Sequence, residues 1–125
     1  MPLESIVTSR PFPPSHFVCG ELDTISLENI TIASGAGLIV DGAVAGIVTA
    51  TGKWKIHDPA ATDGTENAAG IIVDNHNATS AERIAAAVVR HAEVSAANLT
   101  WKTGITNEQK ATALALLKTH GIIAR

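Results

Sequence analysis

The sequence predicts a small, mainly β domain with a few short helices, preceded by an extended N-terminal arm. Three observations carry that expectation. Four of the five prolines, Pro2, Pro11, Pro13 and Pro14, fall within the first 20 residues, where absent N–H donors and a fixed φ oppose helix and sheet interior. Between residues 26 and 73, short runs of Ile, Val, Thr and Ala are broken by Gly- and Asp-containing turns, the punctuation of a β chain. The clearest single element is a helix over residues 107–120, near the end of the chain.

Residues 1–20 read as the arm and residues 21–125 as one β-rich domain. Arg10-Pro11-Phe12-Pro13-Pro14 should be extended, near polyproline II, and Ile6, Val7 and Thr8 before it favour β structure. The arm also carries Leu3, Phe17 and Val18, apolar residues a solvated tail does not need. Two readings stay open: Phe17 and Val18 pack back on the domain with the rest loose, or the arm binds a partner.

In the domain, Ile25, Leu27, Ile30 and Ile32 mark a first strand that ends at the turn Ser34-Gly35-Ala36-Gly37. After a turn at Asp41-Gly42, residues 44–49 form a second strand. Thr51-Gly52 turns the chain into Lys53-Trp54-Lys55-Ile56, whose alternation predicts a half-exposed strand. Residues 58–64 form a loop rich in turn formers. Residues 69–73 form a short apolar strand, and Asp74-Asn75-His76-Asn77 another loop. Residues 79–95 are ambiguous: Thr79-Ser80-Ala81-Glu82 resembles a helix start, whereas Ile84, Val88, Val89 and Val94 favour strands. Ser95-Ala96-Ala97-Asn98 can form one helical turn. The final helix has Thr106 or Asn107 as cap, Ala111, Leu114, Ala115 and Leu117 as its apolar face, and Gly121 as its stop. A short strand at Ile122-Ile123-Ala124 follows.

Composition bounds the function. The chain is 46% hydrophobic, 3% aromatic and 17% charged, with a formal net charge of −3 and a mean hydropathy of +0.21. Such a chain is not a disordered charged tail. No apolar run reaches the ~18–20 residues that cross a bilayer, and no secretory signal is visible. One cysteine, Cys19, excludes a disulfide scaffold and a Cys-rich zinc site. The nine Lys and Arg are scattered, which opposes nucleic-acid binding. A core of Ala and Val buries little area per side chain, so some apolar surface is expected to be hidden in an oligomer.

Chemistry-bearing residues form no familiar site. His57 and Asp58 are adjacent on a strand and should face opposite ways. Asp58, Asp63 and Asp74 with His57 and His76 lack the ligand spacing of a calcium loop. The five histidines, His16, His57, His76, His91 and His120, show no metal-ligand spacing and should mostly lie at the surface. No serine sits in a nucleophile elbow, Cys19 has no neighbouring cation, and Gly35-Ala36-Gly37 leads into β-type sequence rather than a helix. The sequons at Asn29, Asn77 and Asn98 read as composition. No catalytic, cofactor or metal site is expected. Two rival classes remain: an enzyme assembled across subunits from His57, Asp58 and Asp63, and a surface or tail module binding carbohydrate or another partner. Only Trp54 and Trp101 offer rings for sugar stacking, and Trp101 is expected in the core.

Five blocks in order resemble the head decoration proteins of tailed bacteriophages, the family of the lambda-type capsid-stabilising protein. They are Glu28-Asn29-Ile30-Thr31-Ile32-Ala33-Ser34-Gly35, residues 44–52, residues 52–64 with Ala68-Ala69-Gly70-Ile71-Ile72, Val89-Arg90-His91-Ala92-Glu93-Val94 with Leu99-Thr100-Trp101, and residues 110–125. The resemblance covers residues 17–125. It departs at Lys102, where the lambda-type member has proline. It implies a β-clip domain, a β-hairpin over residues 84–94 and a homotrimer. It further implies a structural virion protein, assembled in the host cytoplasm, that binds coat protein. The trimer would sit on the outer surface of the expanded capsid, at threefold and quasi-threefold sites, and stabilise it against DNA pressure. No cofactor, nucleic acid or membrane is implied. Within that frame Leu3, Ile6, Val7 and Phe12 are the expected coat-binding residues of the arm, which adds to coat strands. Asp58, Pro59, Asp63, Gly64, Glu93 and Trp101 are the expected structural residues of the family motifs.

Overall fold

The structure is a computed structural model and describes residues 17–19 and 26–125. In chain order these residues form β1 (Val18–Cys19), β2 (Ser26–Ile32), β3 (Gly37–Ile39), β4 (Ala43–Ile47), β5 (Trp54–Ile56) and β6 (Gly70–Val73). Then come β7 (His76–Ala78), β8 (Arg83–Arg90), β9 (Ala92–Val94), a 3₁₀ turn (Ala96–Asn98), α1 (Asn107–Thr119) and β10 (Ile122–Ala124). The fold is mainly β with a C-terminal helix, as the sequence predicts.

Five strands close into a barrel in the order β2-β5-β4-β6-β8. All contacts are antiparallel except the seam, where β2 meets β5 in parallel at Ile32 and Trp54. So narrow a barrel leaves little internal volume, and alternation along each strand decides which side chains enter it. Ala43, Ala45, Ala85 and Ala87 enter, with Ile30, Ile32, Ile72, Val89 and one large ring, Trp54. The alanine-rich composition thus has a packing reason. Gly70 makes room for that ring: a Cβ there would stand 3.1 Å from Trp54 Cη2 and 2.7 Å from the Val88 carbonyl oxygen.

The opposite faces of the same strands carry Val44, Ile71 and Val88 outward into a second core. That core is covered by α1, through Ala113 and Leu117, and by a three-stranded sheet of order β1-β9-β10. Thr106 starts α1 with a capping box: its hydroxyl accepts from Gln109 N–H, and the Gln109 side chain accepts from Thr106 N–H. Gly121, at φ +83°, ends it.

Four local expectations differ from the structure. Residues 84–94 are strands but not a hairpin. β8 pairs with β2 on one side and β6 on the other, so it has no edge left for β9. The chain turns at His91, whose φ is +54°, and β9 joins β1 and β10 instead. Residues 79–81 form bends that lead into β8, not a helix start. Gly37, read as the end of a turn, opens β3, and His76 and Asn77, read as loop, belong to β7, the two strands pairing with each other. Trp54, offered as a ring for sugar stacking, is not available for it: it lies on the buried face of its half-exposed strand, 6% exposed inside the barrel.

Candidate binding surface

Of the expected coat-binding residues, Leu3, Ile6, Val7 and Phe12 lie outside the described residues, as does His16. The root of the arm is described. Phe17 is fully buried in the outer core with Val44, Leu99 and Leu117. Burial of such a ring stabilises by about 3 kcal/mol. Its carbonyl accepts from Ser95 N–H at 2.6 Å, and β1 continues antiparallel along β9 with Val18 opposite Val94. Phe17 thus packs on the domain, and Val18 joins it through the backbone pairing of β1 with β9. β9 also holds the end of the chain: Arg125 N–H donates to the Val94 carbonyl and Ala96 N–H to the Arg125 carbonyl, both at 2.9 Å. Glu93 adds an ion pair to Arg125 at 3.1 Å.

The acidic motif residues hold turns. Asp58 Oδ1 accepts from Ala60 N–H at 3.0 Å, the local closure that makes Asp a turn former, and Oδ2 accepts from Lys102 Nζ at 2.9 Å. Lys102, the departure from the lambda-type pattern, therefore ties this loop to the segment leading into α1. The Lys102 ammonium, aided by Ala60 N–H, holds the Asp58 carboxyl below its usual range. Asp63 Oδ1 accepts from the Thr65 hydroxyl at 2.6 Å and from Thr65 N–H at 3.1 Å, and these bonds lower its pKa likewise. Gly64 sits at φ +111°, and a Cβ there would run into Thr49 Oγ1 and the Ile47 carbonyl. Its N–H donates to Glu66 Oε2 at 2.8 Å. Pro59 faces α1 across a groove of about 470 Å³.

His57 and Asp58 diverge as strand geometry requires. Asp58 reaches outward to Lys102, while His57 turns inward and is 3% exposed, an exception to the expectation of surface histidines. His57 Nε2 lies 3.1 Å from the Glu66 carbonyl oxygen. A carbonyl only accepts, so Nε2 carries the proton. No group of the described residues reaches Nδ1. Burial lowers the His57 pKa, outweighing the Glu66 carbonyl and the Asp58 charge that raise it. Trp101 meets the imidazole edge-on, with ring centroids 6.2 Å apart and planes at 77°. It is half-buried, packed against the outer core rather than within it. Alternation places His57 on the outer face with Lys53 and Lys55. The Trp101 ring packed against it comes from far along the chain, and no local signal announces that contact. Among the described residues no three of His, Cys, Asp or Glu gather to hold a metal, and no helix is long and apolar enough to cross a membrane.

Fold and side chains together define a small β-barrel domain whose carboxylates fasten loops and whose Phe17 is locked into the outer core. The family model of the bacteriophage lambda head decoration protein D matches residues 6–122, and the chain belongs to that family. It is a family of structural proteins of the phage capsid, not of enzymes. No curated protein sequence matches the chain.

Proposed function

We propose that the protein forms a homotrimer on the outer surface of the expanded head, at threefold and quasi-threefold sites. There it clamps neighbouring coat subunits against the pressure of packaged DNA. The arm is the clamp. Leu3, Ile6 and Val7 add as a strand to an exposed coat edge, where main-chain hydrogen bonds give affinity and alternate side chains fill pockets. Phe12 anchors the proline-rich stretch, whose restricted backbone lowers the cost of ordering. The observation that carries this reading is the fastened root: family membership supplies the capsid, and Phe17 with β1 fixes the point on the domain to which the preceding residues are joined. Three such arms per trimer act at high effective concentration, which raises avidity about 10²–10⁴-fold over one. Leu38 and Ile84, 73% and 78% exposed, supply apolar surface for contact between copies.

The test is co-sedimentation with expanded and unexpanded heads, using the full chain and a truncation lacking residues 1–14. The full chain should saturate expanded heads alone, in multiples of three. The truncation should keep its trimer mass and lose binding by at least the avidity factor of about 10². Full binding by the truncation would remove the arm from the mechanism.

A further inference from the structure

The outer face of the barrel wall is covered at one end only. Alternation along β8 sends Ile84, Ala86 and Val88 outward, opposite Thr31, Asn29 and Leu27 of β2. None of these six residues carries a charge. Val88 lies in the outer core with Ala113 and Leu117 of α1. The face then runs on past that cover. Leu27 is 40% and Ile84 78% exposed, with Asn29 exposed and Ala86 half-buried between them.

A second bare apolar face lies on the ribbon of β3 and β7. Its inner side, Ile39 and Ala78, belongs to the cluster that fills the barrel, so the ribbon stoppers one barrel end. Its outer side carries Leu38, 73% exposed, opposite Asn77, and Val40 follows at 44%. These three residues are uncharged as well. Arg83 Nε donates to the Asn77 carbonyl at 2.7 Å, which fixes the ribbon beside the start of β8, next to Ile84. The two faces therefore share one corner of the domain and look in different directions, one sideways from the wall and one outward from the barrel end.

We propose that these faces form the interface between copies of this chain: the wall of one copy, centred on Ile84, packs against the ribbon of the next, centred on Leu38. The inference deepens the homotrimer reading and rests on it. A twofold dimer can use one self-complementary face. A ring of three joins two different surfaces at each contact, and closure requires both on every copy. Two apolar faces set at an angle on one chain meet that requirement. Apolar side chains scattered singly on a surface need no explanation, but these gather on two faces. Neither face loses a hydrated ion when the two are pressed together, and the cores of protein contacts are depleted in charge.

The full chain is sized by sedimentation equilibrium beside Leu38→Glu, Ile84→Lys and the double variant, with far-UV circular dichroism as the check on folding. The full chain should sediment as a trimer. Each single variant buries an unpaired charge at the contact and should weaken association about 100-fold. The double variant brings opposite charges together across the same contact and should regain about tenfold of that loss. Single variants that stay trimeric overturn these faces while the trimer reading stands. A double variant no better than the singles overturns the pairing of wall with ribbon. A full chain that sediments as a monomer refutes the trimer reading and this interface together. Hydroxyl-radical footprinting reads the same faces without any substitution: Leu27, Leu38 and Ile84 should be oxidised several-fold more slowly in the trimer than in the diluted monomer. Equal rates overturn the proposal. Protection that appears only on expanded heads assigns the faces to the coat protein and overturns it likewise.

Discussion

The barrel and the β1-β9-β10 layer are built on opposite plans. In the barrel every strand has two neighbours, so the backbone groups that would form a sheet edge face each other across the seam at Ile32 and Trp54. Its interior is filled by alanines, a few isoleucines and one indole. The layer is open: β1 and β10 flank β9 and have no further strand among the described residues. It is held from one side by α1 and by the Phe17 ring. A closed barrel offers no edge to a partner, whereas an open sheet does. The two regions divide accordingly: the barrel is closed, and the layer carries Val18–Cys19 and the last strand, Ile122–Ala124.

The harshest way to break that contrast is Trp54→Ala. It empties the largest side chain from a closed space that cannot collapse, at a cost of about 4 kcal/mol. Denaturant unfolding should show one transition at a much lower midpoint. Phe17→Ala should cost somewhat less, about 3 kcal/mol, and act elsewhere. In hydrogen exchange the amides of β9 and β10 should lose protection while those of β4, β6 and β8 keep it. Equal loss in both regions would show that barrel and layer unfold as one unit.

The smallest effect is a pH dependence that sharpens the comparison without breaking either part. The folded state disfavours protonated His57, so the unfolded chain binds that proton more readily. Stability from this group is complete above the ordinary value of 6.5 and is lost as pH falls below it toward the lowered folded value. Asp58 and Asp63, with carboxyls held below 3.8, add losses in the same direction only in stronger acid. The melting temperature should therefore decline in two stages on acidification. His57→Gln should remove the upper stage and leave the lower.

What the sequence disclosed follows from the range of the forces involved. The capping box at Thr106 and Gln109 and the stop at Gly121 are local, so α1 was readable to within a residue. β2, β4 and β6 announced themselves through β-branched runs between turns. β3 and β7 did not, because three residues carrying Gly, Asn or His become strands only by pairing with each other across the fold. The course of residues 83–94 was decided by competition for edges, which no local pattern records. The turn-holding roles of Asp58 and Asp63 could be read from their neighbours. The burial of His57 could not, since the Trp101 ring that packs against it lies far along the chain. The arm's chemistry was legible as proline and apolar content, and its residues 1–16 lie outside the described structure.

The edge-on contact between His57 and Trp101 has an optical consequence. An imidazolium quenches a neighbouring indole more strongly than a neutral imidazole does. The second indole, Trp54, sits in the barrel, outside that contact. The emission of Trp101, isolated in a Trp54→Phe background, therefore reports the charge on His57 directly. The protein carries its own fluorescent gauge of the His57 charge, readable in dilute solution.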